Sequence, residues 1–147
     1  METVKDALAR KHGPLIHVRS DDMVVEALLK MRDNRVRSVL VIDDEKLVGI
    51  VTQGDCAIKV LLPGLDAKQT PVRQVMTPNP VTVKPSDPVE NCMALMSARG
   101  FRHLPVLDGD KVVGVISIGD AVKDVIRRLE LNVSDLMGFI MADGPGG

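Results

Sequence analysis

The sequence has almost no aromatic residues: among 147 there is no Trp and no Tyr, and the two Phe are Phe101 and Phe139. Carbohydrate platforms, aromatic cages for cations and base stacking on single-stranded nucleic acid all depend on aromatic faces, so the composition argues against all three. Charge imbalance is missing as well. The net charge is −1, which leaves no electrostatic footprint for DNA or an anionic membrane. No apolar run approaches the roughly 20 residues that span a bilayer, and residues 1–6 are charged where a signal peptide is apolar. Cysteine is scarce too. Cys56 and Cys92 stand alone, without CxxC or Cys/His spacing, so neither a disulfide framework nor a zinc site is expected. The expectation is a cytoplasmic chain with neither nucleic acid nor membrane as partner, an organelle matrix being the alternative.

What the sequence does hold is apolar residues, 45% of the total, and an internal repeat. Sliding the chain by 65 residues aligns 16–60 with 81–125 without a gap. Val18 falls on Val83, Asp22 on Asp87, Met31 on Met96, Arg37 on Arg102 and Asp43 on Asp108. Gly49, Gly54 and Asp55 then meet Gly114, Gly119 and Asp120. A tandem duplication redefines the architecture, because each copy is one supersecondary unit.

Each copy reads as βαββα. A short extended piece precedes a helix over 22–34 or 87–99, where apolar residues recur at helical spacing. In the second copy Asp87-Pro88-Val89-Glu90 suggests Asp as the cap, Pro at the first helical position and Glu three residues on. Two short apolar runs follow, joined by Asp43-Asp44-Glu45-Lys46 or Asp108-Gly109-Asp110-Lys111, and predict hairpins. A further helix is expected to open at Asp55 and at Asp120. Segments 72–76 and 4–8 form short helical lead-ins, the latter three residues farther from its repeat. Residues 132–141 predict a separate short helix, and 143–147 a disordered tail. The fold class is α/β: two tandem βαββα repeats, 8–62 and 72–128, packed sheet to sheet about a pseudo-twofold axis, with 129–147 as short helix and tail.

The most informative motif is Gly–apolar–apolar–Thr/Ser–x–Gly–Asp, at Gly49 to Asp55 and Gly114 to Asp120. It sets a hydroxyl (Thr52, Ser117) three residues before a carboxylate (Asp55, Asp120) where a strand gives way to a helix. Such a junction exposes backbone N–H groups to phosphate, and a carboxylate there can accept both hydroxyls of a ribose. In isolation the same residues are an ordinary cap and turn.

The string Thr82-Val83 with Pro85, then Phe101-Arg102-His103-Leu104-Pro105-Val106-Leu107-Asp108, then Gly114-Val115-Ile116-Ser117 with Asp120, resembles a CBS domain. The first copy is similar, and Thr77-Pro78-Asn79-Pro80-Val81 resembles the usual lead-in. The resemblance implies two clefts between the repeats, each taking an adenosyl ligand, with AMP foremost. Cleft one would use Thr52 and Asp55 for ribose, the backbone of Val81, Thr82 and Val83 for adenine, and Arg102, His103 and Pro105 beside them. Cleft two would use Ser117 and Asp120 with Ile16, His17, Val18, Arg37 and Ser38. Relatives often carry a basic residue just before the motif Asp; here Gly54 and Gly119 stand there, and Leu40 stands where the second copy has Pro105. Arg102 and His103 both serve cleft one, which is expected to be the better site.

Other residues have plainer readings. His103 has no nucleophile beside it, His12 and His17 suit a loop and a strand start, Cys56 is a small packing residue, and the methionines fill a core. The acidic pairs at 43–44 and 108–110 belong to turns. The resemblance implies a regulatory nucleotide-binding module without catalysis, a homodimer that modulates an unidentified protein. The alternatives are a scaffold with decayed clefts and a thiol enzyme built on Cys56.

Overall fold

The computed structural model describes residues 2–11 and 13–143; His12 and residues 144–147, most of the expected tail, lie outside this description. In chain order the elements are α1 (Val4–Ala9), β1 (His17–Val18), α2 (Val24–Asn34), β2 (Ser38–Asp43), β3 (Lys46–Thr52) and α3 (Gln53–Cys56), which runs on as a π-helical turn over Ala57–Leu61. A 3-10 turn at Val72–Gln74 leads to β4 (Thr77–Pro78), α4 (Val89–Arg99), β5 (His103–Asp108), β6 (Lys111–Ser117) and α5 (Ile118–Asp143).

In the first repeat β1 runs parallel to β2, β2 and β3 form a hairpin, and β4 joins the free edge of β3. The second repeat forms the β5–β6 hairpin, with Val83 bridging Val106 in parallel where β1 sits in the first. Both hairpins slip register after Val41 and after Val106, positions 65 residues apart. Both close over two residues. Asp44 and Glu45 take φ of 49° and 67° without a glycine, while the second turn puts Gly109 at 63°.

The two units complete one another. Val72 N–H donates to the Asp22 carbonyl at 2.8 Å and Val24 N–H to the Thr70 carbonyl at 2.8 Å. In mirror fashion, Val4 N–H donates to the Asp87 carbonyl at 2.8 Å and Val89 N–H to the Glu2 carbonyl at 3.0 Å. The lead-in of each repeat is thus hydrogen-bonded to the helix start of the other. Val72 and Val75 join one buried cluster, around Met31, Val39 and Val51; Val4 and Ala7 join the other, around Met96, Leu104 and Ile116. β3 touches β6 between them, and the repeats are related by a pseudo-twofold axis. The motif glycines serve this exchange. A Cβ on Gly49 would lie 2.5 Å from Met76 Sδ, and one on Gly114 3.0 Å from Leu8 Cδ2.

Three local expectations need correction. α2 and α4 open at Val24 and Val89 rather than at Asp22 and Asp87, because those aspartates hold the preceding turn: their carboxylates accept from Arg19 and Lys84 N–H, both at 2.8 Å. Pro88 is the residue before α4, and Glu90 pairs with Arg128 instead of closing a capping box. The separate helix over 132–141 does not exist, because nothing breaks the turn-by-turn hydrogen bonding after Arg128. α5 is one helix of 26 residues. No helix among the described residues is long and apolar enough to cross a membrane.

Candidate functional site

The junction of β3 and α3 is a capping box. Asp55 N–H donates to Thr52 Oγ1 at 3.1 Å, and Thr52 N–H donates to Asp55 Oδ2 at 3.0 Å. The helix opens at Gln53, two residues before the expected start, so Thr52 is the cap and Asp55 the third helical residue. Two of the four orphan N–H groups of the helix start, those of Thr52 and Asp55, are thereby satisfied by each other's side chains. This rigid box aims the remaining acceptor capacity of the carboxylate sideways, where Lys59 Nζ meets Asp55 Oδ1 at 3.1 Å and also donates to the Val75 carbonyl at 3.0 Å.

A cleft of about 560 Å³ opens beside this box between the repeats. Thr52, Gln53, Gly54 and Asp55 form one wall, Asn79, Pro80 and Val81 a second, and Phe101, Arg102 and His103 a third. Arg37 also lines it. The resemblance assigned Arg37 to the other cleft; the structure brings it to this one, because Arg37 and Arg102 are repeat mates and lie close to the pseudo-twofold axis. Two guanidiniums therefore supply the positive charge that Gly54 does not.

The strand at 81–83 is only partly free. Val83 is buried, its N–H donates to the Pro105 carbonyl at 3.0 Å and its carbonyl accepts from Leu107 N–H at 2.9 Å. Pro105 is buried in β5 and does not line the cleft; its effect is indirect. In the first repeat the Leu40 N–H donates to the Ile16 carbonyl at 3.3 Å. Proline has no N–H, so at the mate position the Val81 carbonyl has no such donor. Among the described residues the backbone of the exposed Thr82 has no hydrogen bond either.

The second motif is built alike and filled differently. Ser117 N–H donates to Asp120 Oδ2 at 2.8 Å and Asp120 N–H to Ser117 Oγ at 3.1 Å. Lys11 Nζ then reaches the same Asp120 Oδ2 at 2.9 Å and the Val115 carbonyl at 2.8 Å. Burial opposes ionisation of Asp120, but the Ser117 N–H and the Lys11 ammonium outweigh it and hold its pKa below the usual aspartate value. Of the partners expected around it, Val18 and Ser38 are buried, Ile16 is half-buried with its carbonyl bound, and His17 is exposed with its carbonyl accepting from Lys30 Nζ at 2.7 Å.

His103 stands between the two motifs. Its pKa is pushed below the ordinary histidine value by burial first and by Lys11 next, against the pull of Asp120, with Arg102 and Arg37 adding to the lowering. The imidazole is therefore neutral at physiological pH and offers a hydrogen bond rather than a charge. The Cys56 thiol, buried behind Asp55, is pushed up by burial and by that carboxylate, the opposite of what a nucleophile needs. No cluster among the described residues could hold a metal ion.

Sequence reasoning missed Lys11 and Asn79. They hold equivalent places in the two lead-ins once the three-residue offset is applied, one reaching the carboxylate of the second motif and the other lining the first cleft. That offset was the signal that could have found them.

The CBS-domain family profile matches residues 4–61 and 72–127. Among solved structures, a protein with CBS domains from Burkholderia ambifaria is 41% identical with a TM-score of 0.82, over 86% of this chain and 95% of that one. The CBS domain pair of protein MJ0100, solved in complex with 5′-methylthioadenosine and S-adenosyl-L-methionine, is 26% identical with a TM-score of 0.76, over 86% and 98%. The mitochondrial CBS domain-containing protein CBSX3 of Arabidopsis thaliana is 29% identical over 147 residues, 94% of this chain and 71% of that protein. Several longer curated relatives are matched over about a fifth of their own length. Two matched segments that coincide with the duplication, on a fold shared along most of its length, mean that the chain belongs to the CBS-domain family.

Proposed function

We propose that the chain is a regulatory module that binds one adenine nucleotide, AMP foremost, in the first cleft and modulates a partner protein according to its occupancy, without catalysing a reaction. The observation that carries this is the composition of that cleft: a preorganised carboxylate at Asp55, an unpaired carbonyl at Val81, and Arg37 with Arg102 on the remaining wall. Carboxylate, carbonyl and guanidinium match the ribose hydroxyls, the adenine amino group and the phosphate in turn. A volume of about 560 Å³ suits a nucleotide. The adenosyl ligands of the MJ0100 pair support the ligand class. Two free, buried cysteines suit a reducing, cytoplasm-like setting. The second motif is the weaker site, because the Ile16 carbonyl, mate of that of Val81, accepts from Leu40 N–H and Arg37 lines the first cleft, while a lysine sits on each carboxylate, Lys59 on Asp55 and Lys11 on Asp120.

Isothermal titration with AMP, ADP, ATP and S-adenosylmethionine tests the reading. The expected result is one site per chain, weakened at least about tenfold, some 1.4 kcal/mol, by Asp55→Ala and unaffected by Asp120→Ala. The absence of heat and of thermal stabilisation by all four ligands at millimolar concentration would leave the scaffold reading in its place.

A further inference from the structure

His103 opens β5 and lines the first cleft with Arg37, Arg102 and Asp55. Across the β5–β6 hairpin it pairs with Ser117, so the second motif stands on its other side. The charged groups that face it come from four places. Arg102 immediately precedes β5, Arg37 immediately precedes β2, Lys11 follows α1, and Asp120 lies in the first turn of α5. Three cations stand there against one carboxylate, and the Asp55 carboxylate in the same cleft is already paired with Lys59 at 3.1 Å. Ile50, Val81 and Phe101 add apolar lining, beside which charges are felt more strongly than in water. Burial first, then Lys11 and the two guanidiniums, keep the imidazole uncharged near neutral pH against the pull of Asp120.

A phosphate seated between Arg37 and Arg102 reverses that balance. A phosphate monoester is close to a dianion at pH 7, its second ionisation lying near pH 6, and its charge cancels the cationic excess around the ring. An opposite charge within about 4–6 Å favours the charged form of a titrating group by roughly one pKa unit or more. The second cleft has no counterpart to this. The repeat mate of His103 is Ser38, which is buried and pairs with Thr52, and a hydroxyl does not titrate in this range.

We infer that nucleotide binding in the first cleft is proton-linked: as the phosphate settles beside Arg37 and Arg102, His103 takes up one proton from solvent and becomes the third cation of the site. The inference rests on the adenine-nucleotide reading of this cleft and adds a regulation to it, since the module then responds to acidification as well as to nucleotide. A base that holds its proton more tightly in the complex than in the protein alone gives an affinity that grows as pH falls through the bound value and levels off below the free one. A one-unit difference centred on pH 6.5 makes AMP binding about threefold tighter at pH 6.5 than at pH 8, with about half a proton taken up per AMP at pH 6.5.

Isothermal titration of the full chain with AMP at both pH values, in buffers of unequal ionisation enthalpy, reads affinity and proton uptake together. Adenosine, which lacks the phosphate, is expected to show no uptake. His103→Gln keeps a hydrogen-bonding side chain and is expected to lose the uptake, leaving the small proton release of the AMP phosphate itself. NMR of the wild-type imidazoles gives the same answer without a variant: the His103 pKa is expected to rise by about one unit with AMP and to stay in place with adenosine. AMP affinity that does not change with pH, uptake retained in His103→Gln, or equal uptake with adenosine would overturn the inference and leave nucleotide binding standing. Failure of AMP to bind at either pH would overturn both.

Discussion

Replacing Lys11 with methionine keeps the aliphatic stem and removes the ammonium that ties the N-terminal lead-in to the second motif. Lys11 Nζ makes two contacts, 2.9 Å to Asp120 Oδ2 and 2.8 Å to the Val115 carbonyl. Its side chain is 43% exposed and that of Asp120 17%, so solvent screens the pair and it contributes about 1 kcal/mol rather than the several of a dry ion pair. A ligand that needs the Asp120 carboxylate must displace this contact, which weakens the second cleft by roughly fivefold to tenfold. Lys11→Met is therefore expected to raise the titrated stoichiometry from one nucleotide per chain towards two.

Two titrations check the same contact without ligand. Lys11 is the second cause, after burial, of the lowered His103 pKa, and Asp120 opposes it. Removing the ammonium leaves the carboxylate pull unbalanced, so the His103 pKa rises, as read from its imidazole proton shifts by NMR. The folded pKa of Asp120 is depressed, so its contribution to stability is present above the unfolded value of about 3.9 and is lost as pH falls through the folded value. Part of that contribution is owed to Lys11. The wild type should then exceed Lys11→Met in stability near neutral pH, with the difference shrinking below about pH 4. A His103 pKa that does not move, or a wild type that already binds two equivalent nucleotides, would refute the account of a closed second cleft.

Other substitutions test how the fold is held. Arg35 takes a left-handed φ of 54° at the end of α2, where its repeat mate Gly100 takes 73°; Arg35→Gly is expected to stabilise by about 0.5 kcal/mol in urea titration, the backbone relief outweighing the added unfolded-state freedom. Gly49→Ala forces a Cβ to 2.5 Å from Met76 Sδ and 3.0 Å from the Thr77 carbonyl, for an expected cost of about 2–3 kcal/mol. Gly114→Ala meets only the flexible tip of Leu8, at 3.0 Å, and is expected to cost about 1 kcal/mol by the same measurement. Equal costs at the two positions would show that the exchanged lead-ins do not set the glycine requirement.

The 65-residue frame made much of the fold legible, because a duplication carries turn chemistry, strand pairing and caps together. Both hairpins, the Thr52–Asp55 and Ser117–Asp120 pairs and the glycines beneath the lead-ins all follow from aligning one copy on the other. What the frame hid was whatever breaks or crosses it. The helix starts moved from Asp22 and Asp87 to Val24 and Val89 because each aspartate is held twice, its carboxylate by the Arg19 or Lys84 N–H and its carbonyl by an N–H of the opposite lead-in; the second contact, between segments 50 and 83 residues apart, is one that no local pattern encodes. Arg37 changed clefts because a residue near a pseudo-twofold axis serves both halves, and alignment cannot say which. Lys11 was missed because the lead-ins align only with three further residues of offset. At the C-terminus the reverse error occurred: 132–141 reads as a helix of its own, while apolar residues at helical steps from Val122 to Ile140 run through Arg128 without interruption. Periodicity that crosses a supposed boundary carries the helix through it. The duplication therefore accounts for the CBS pair, and the one helix that outgrows the repeat has to be read by a different period.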